Sequence, residues 1–166
     1  VAIGVRRLTE EKMLSEGDKV PDVRMVSAEG KDISPADFSG QKLVLYFYPK
    51  DDTSGCTAEA QAFTALAEEF KNAGTWILGV SKDDAGAHRK FTDKYGLKVS
   101  LATDPDGSVC DAFGTWIQKS MYGRKYMGIE RATFLVDRHG VVQRVWRKVK
   151  VPGHAEEVLE AARELT

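Results

Sequence analysis

The chain has 166 residues, 42% of them hydrophobic, which suits the core of one domain and gives no reason to look for a second. Lys and Arg number 24 against 25 Asp and Glu, a balance that points away from nucleic acid or an anionic membrane surface as partner and towards a small substrate. No stretch approaches the ~18 apolar residues of a membrane span, and VAIGVRRLTEEK lacks the apolar core and cleavage site of a secretory signal, so the expected location is the cytoplasm.

Residues 1–16 are charged and weakly periodic, and read as an N-terminal extension with part of a helix around Thr9 to Ser15. The single domain is expected over 17–166. From Gly17 the chain alternates loosely and turns at Ala28-Glu29-Gly30, which predicts a short hairpin and a loop. Leu43 to Tyr48 is an apolar, aromatic run with the length of a buried strand. The polar turn after it ends at Cys56, where helical spacing begins: Ala60, Phe63, Ala67 and Phe70 recur at three- and four-residue steps until Gly74 stops the helix. Thr75 to Val80 predicts a second buried strand, and Ser81 with Asp83 is expected to cap a helix from Ala85 to Tyr95 that ends at Gly96. This strand-helix-strand order implies a parallel core sheet.

Ser100 to Thr103 predicts a third strand, and Asp104-Pro105-Asp106-Gly107 a turn into a brief helix ending near Phe113. The segment from Gly114 to Glu130 is expected to be an extended excursion or hairpin. ATFLVD and VVQRVW read as antiparallel strands about the turn Asp137 to Gly140. A last helix is predicted from His154 to Leu165, with Val158, Leu159, Ala162 and Leu165 on one face. Parallel strands covered by helices and finished by an antiparallel hairpin fit an α/β, thioredoxin-like sandwich: a central mixed sheet flanked by helices, with a hairpin extension at the N-terminus.

Two cysteines, Cys56 and Cys110, are too few for a disulfide framework. Cys56 stands where the first-turn amides of a helix are unpaired and the macrodipole favours negative charge, so its thiol leans towards thiolate. A free thiol titrates near ~8.5, and moving it two units down takes roughly 2.7 kcal/mol. A helix end contributes about 0.3 to 1 kcal/mol, ~2 at most, so a nearby cation is expected to supply the rest. The alternative for Cys56 is a small buried hydrophobe.

Pro49, Thr53 and Cys56 form the pattern Pro-x-x-x-Thr-x-x-Cys directly after an aromatic strand. This resembles the active-site signature of the peroxiredoxins. FYPKDDTSGCTAEA, Asp104-Pro105-Asp106-Gly107, KSMYGRKYMGIERATFLVDRHG and WRKVKVPGH are similar to the Q-type branch, also called bacterioferritin comigratory protein. The resemblance covers all but the first dozen or so residues. It implies a thioredoxin-like fold and a thiol-dependent peroxidase acting on hydrogen peroxide and organic hydroperoxides, with no cofactor and no metal. Cys56 is then the peroxidatic cysteine, cycling through a sulfenic acid. Thr53 would donate to and accept from the peroxide, although residue type alone favours a helix cap and only the resemblance reverses this. Pro49 would shield the sulfur, or simply end the strand. Arg131, at the start of a core strand, is the cation that the resemblance places beside the sulfur; Lys50, Lys119, Arg124 and Lys125 are alternatives expected to be solvated.

Many members of this branch carry a second cysteine five residues after the first, where this chain has Gln61. Cys110 could resolve the sulfenic acid if local unfolding brought it near, but Val109, Cys110 and Phe113 share an apolar helix face, which favours core packing. The expected cycle therefore uses one cysteine and an outside thiol, such as thioredoxin, glutaredoxin or glutathione, on a monomer or weak dimer. A redox sensor and a non-catalytic binding or holdase module are the rival readings. His88, His139 and His154 lack metal-ligand spacing and are expected at the surface.

Overall fold

The computed structural model describes residues 14–165. β1 (Met25–Ser27) and β2 (Asp32–Ile33) form the expected hairpin, followed by a short 3-10 turn, Pro35–Phe38. β3 (Lys42–Phe47) is buried along its whole length, and the cysteine turn leads from it into α1 (Ser54–Ala65) and α2 (Ala67–Asn72). Then come β4 (Thr75–Ser81), α3 (Ala85–Tyr95), β5 (Ser100–Thr103) and α4 (Ser108–Phe113). β6 (Trp116–Met121) and β7 (Arg124–Ile129) make a separate two-stranded hairpin, and β8 (Ala132–Val136), β9 (Val142–Trp146) and α5 (His154–Glu164) complete the chain.

The main sheet runs β2-β1-β5-β4-β3-β8-β9, with β3, β4 and β5 parallel and the flanking strands antiparallel. Because alternate residues of a strand face opposite sides, β3 feeds two cores. Val44, Tyr46 and Tyr48 pack with Cys56, Phe63, Phe70, Phe91 and Val158, beneath α1, α2, α3 and α5. Leu43, Leu45 and Phe47 pack on the other face with Val109, Cys110, Phe113 and Phe134. This is the thioredoxin-like mixed sheet flanked by helices that the residue pattern implies.

Three local expectations need correction. The helix after Cys56 is not continuous: Leu66, at φ −104° and ψ 8°, breaks it, and its amide bonds back to Phe63 O. Gly74, at φ 65°, closes the second piece as expected. Ser81 and Asp83 do not cap α3. Asp84 does, its Oδ1 accepting from Ala87 N at 2.8 Å, because it is the residue directly before Ala85 and has extended backbone. Two of the histidines are not at the surface: His88 is fully buried and His154 nearly so, the latter with Nε2 2.7 Å from Thr133 Oγ1. The helix expected around Thr9 to Ser15 lies outside the described residues except for Leu14 and Ser15, which are not helical; Leu14 packs into the second core.

Candidate active site

The end of β3 sends the chain through Pro49 to Ser54 before α1 begins. Thr53 has extended backbone at the N-cap position, and its carbonyl accepts from Thr57 N at 2.8 Å. Its hydroxyl does not cap the helix. It turns back and donates to Lys50 O at 2.8 Å, so the early amides of α1 are left without a side-chain acceptor. Pro49 is half-buried and Thr53 exposed at the rim.

Cys56 occupies the first turn of α1 at only 2% exposure. Arg131, between β7 and β8, reaches it from the neighbouring strand: Nη2 donates to Cys56 Sγ at 3.4 Å. The other arm of the same guanidinium donates from Nη1 to Glu59 Oε1 at 2.7 Å. Glu59 lies one turn beyond Cys56 on the same helix face, as the i, i+3 spacing dictates, and is itself 1% exposed. Burial outweighs the opposing charge and hydrogen bond of Arg131 and leaves its carboxyl pushed up to about 7. Its second oxygen, Oε2, has no partner among the described residues. Gly55 makes the close approach possible, because a Cβ there would lie 3.1 Å from Arg131 Nη2.

The surroundings hold the arginine in place. Arg131 O accepts from Val149 N at 3.0 Å, and Glu130 Oε2 accepts from Lys148 N at 2.9 Å, so the WRKVKVPGH segment clamps the backbone on both sides of the guanidinium. A fixed planar fork with one arm on a buried carboxylate presents its other arm to the sulfur in a single geometry. That arrangement can stabilise a thiolate and, later, charge developing on an adjacent oxygen.

Residues 16–145 match the AhpC/TSA family. The chain is 47% identical over 143 residues to the putative peroxiredoxin bcp of Coxiella burnetii, covering 86% of this chain and 95% of that one. It is 41% identical over 150 residues to peroxiredoxin Bcp of Bacillus subtilis, covering 90% and 96%. Among solved structures, the bacterioferritin comigratory protein of Xanthomonas campestris, studied as trapped intermediate and ligand complexes for its alkyl peroxide reduction activity, superposes with a TM-score of 0.84 at 42% identity, covering 90% of this chain and 98% of that one. The chain belongs to the peroxiredoxin family.

Within this peroxiredoxin, the structure brings Cys56, Arg131 and the Thr53 turn together and leaves Cys110 apart. Cys110 lies in the core on the opposite face of the sheet, fully buried. Burial, then a hydrogen bond and the charge of Asp104, push its thiol up to about 12. Of the other candidate cations, Lys50, Arg124 and Lys125 are exposed. Lys119 is half-buried rather than solvated, its stem resting against Gly128 across the hairpin. Burial and the Arg131 charge hold its ammonium below the usual lysine range, while Cys56 and Glu130 oppose them.

Glu59 is the site residue that sequence reasoning missed. A glutamate on an amphipathic helix reads as solvent-facing, and the one available signal was its three-residue offset from Cys56, on the side that faces Arg131.

Proposed function

We propose that the chain is a one-cysteine thiol peroxidase in which Cys56 attacks a hydroperoxide and an outside thiol returns it to the reduced state. The observation that carries the reading is Arg131 Nη2 at 3.4 Å from Cys56 Sγ at a helix start. The thiolate forms a bond to the terminal oxygen of ROOH, the O–O bond breaks, and RO⁻ leaves and is protonated to the alcohol, or to water when R is hydrogen. Sulfur is oxidised by two electrons to Cys56-SOH while the peroxide is reduced. The Thr53 hydroxyl, whose proton is given to Lys50 O, accepts from the peroxide O–H, and Arg131 together with the open amides of α1 bears the negative charge passed from sulfur to oxygen. Pro49 walls the sulfur from water. An outside thiolate then attacks the Cys56 sulfur, expelling hydroxide and forming a mixed disulfide, and a second thiol releases Cys56.

The relatives named peroxiredoxin Bcp, and the alkyl peroxide reduction activity for which the Xanthomonas protein was studied, support hydrogen peroxide and organic hydroperoxides as substrates. Thioredoxin, glutaredoxin or glutathione would fill the reductant's place. Peroxide consumption by the native protein and Cys56→Ser, with an excess of external thiol, tests the assignment. Turnover is expected only with Cys56 present, and equal rates would end it.

A further inference from the structure

The positive charge of Arg131 is divided. Its guanidinium is nearer to Glu59 than to Cys56, 2.7 Å against 3.4 Å. Once Glu59 is ionised, a thiolate at Cys56 makes two anions beside one cation, and a helix start offers only about half a charge more. The site is then short of positive charge unless another element brings it.

The hairpin of β6 and β7 does so through Lys119, which is paired across the hairpin with Tyr126. The lysine stem does not stand straight out from that pair. Its Cδ and Cε lie 3.4 and 3.5 Å from the point where Gly128 would carry a Cβ, one step further along the same strand face. The side chain therefore leans towards the base of the hairpin, where β7 passes through Ile129 and Glu130 into Arg131. That base is fixed: Ile129 is buried, and Glu130 N donates to Thr115 O at 2.7 Å.

The charges that the Lys119 ammonium feels are those of Arg131, Cys56 and Glu130. Among the described residues no carboxylate pairs with it, since Glu130 accepts from Lys148 N at 2.9 Å and faces Arg147 at 3.8 Å. On the same face of the hairpin, Tyr126 and Arg124 are exposed. Attraction between two titrating groups is mutual, so a thiolate that favours the ammonium is favoured by it to the same degree.

We propose that Lys119 is the second cation of the Cys56 site, its ammonium carried inward over Gly128 to supply the thiolate with charge that Arg131 shares with Glu59. The inference deepens the peroxidase reading above and rests on it for the role of Cys56. Lys119 works through its charge and not through a contact with sulfur or peroxide. Its half-buried position makes that charge count for more than the same charge in open water.

The test reads the thiolate without peroxide. Iodoacetamide, a neutral reagent, alkylates Cys56 in the full chain, and the rate is followed against pH at the Cys56 peptide by mass mapping. Lys119→Met keeps an unbranched stem over Gly128 and removes the charge, which disfavours the thiolate. Its profile is expected to move to higher pH by about half to one unit, so that alkylation on the rising limb slows by about three- to tenfold. Lys119→Arg should restore most of the native profile, because a charge acting at a distance needs no particular donor geometry. Lys119→Gln repeats the measurement should the methionine variant fail to fold. Superimposable profiles, a uniform slowing with no displacement along pH, or an arginine variant no better than the neutral ones would overturn the proposal. A native protein alkylated at Cys56 yet inert to peroxide would end the peroxidase reading, while the alkylation profiles would still decide for or against Lys119.

Discussion

Glu59 and Arg131 meet at 2.7 Å in an ion pair one helical turn beyond the Cys56 sulfur, with the glutamate buried and the arginine half-buried. The pair places a carboxylate where desolvation opposes its charge, and the arginine offsets only part of that cost, leaving Glu59 at about 7 against 4.5 for an ordinary glutamate. Between those values the folded protein holds a proton that the unfolded chain has already lost. Stability from this group is therefore fully present below about pH 4.5, falls as pH rises, and levels off above about 7. The difference amounts to roughly 3 kcal/mol. Urea unfolding of the native protein between pH 5 and 8 should show that loss, and Glu59→Gln, which has no proton to lose, should not. Parallel pH profiles for the two would remove Glu59 as the cause.

Arg131 spans two partners, and that sets what a substitution costs. Arg131→Met removes the donor to Cys56 Sγ and strands the buried carboxylate of Glu59. The second-order rate of peroxide consumption should fall by about 10²–10³, the usual cost of deleting one charge-stabilising donor. Arg131→Lys should recover little of this, because one ammonium cannot reach sulfur and carboxylate in the same geometry. A lysine variant as fast as the native protein would show that charge alone suffices.

Gly55 is needed for the space it leaves, not for its backbone. A methyl group there would stand 3.1 Å from Arg131 Nη2, closer than the guanidinium can tolerate without shifting by a few tenths of an ångström. Gly55→Ala should therefore fold normally, with an unchanged melting temperature, and react with peroxide several-fold more slowly, since displacements near 1 Å cost about 10² in rate. Native rates in this variant would mean that the arginine has room the structure does not show.

The parts of this arrangement that were legible in the chain are those set by local pattern. The aromatic run LVLYFY, the cysteine after a polar turn and the helical spacing beyond it placed Cys56 at the start of a helix, and the parallel core of the sheet followed from the alternation of strands and helices. The break at Leu66 carried no glycine or proline to announce it. Asp83 looked like a cap because it precedes a helix, yet its carboxylate accepts from Asp51 N across the fold. The burial of His88 and Glu59 depends on Asp51 and Arg131, partners far away in the chain, at separations where helical and strand periodicities carry no information.

Cys110 provides the sharpest test of the one-cysteine cycle. The sheet stands between it and Cys56, and its thiol, pushed up to about 12 by burial and Asp104, carries almost no thiolate at neutral pH. A resolving cysteine needs the opposite properties: access to the sulfenic sulfur and a thiol that attacks or leaves readily. Cys110→Ala should therefore turn over peroxide within about twofold of the native rate when an external thiol is supplied, a difference of less than about 0.5 kcal/mol in the barrier. In the native fold, alkylation at pH 7 should label Cys56 and spare Cys110 until denaturant is added. Non-reducing mass mapping after one equivalent of peroxide should find sulfenic acid at Cys56 and two separate cysteine peptides. An intrachain bridge between 56 and 110 would require α1 to open and the second core to come apart, and finding one would replace the external-thiol cycle with an internal one.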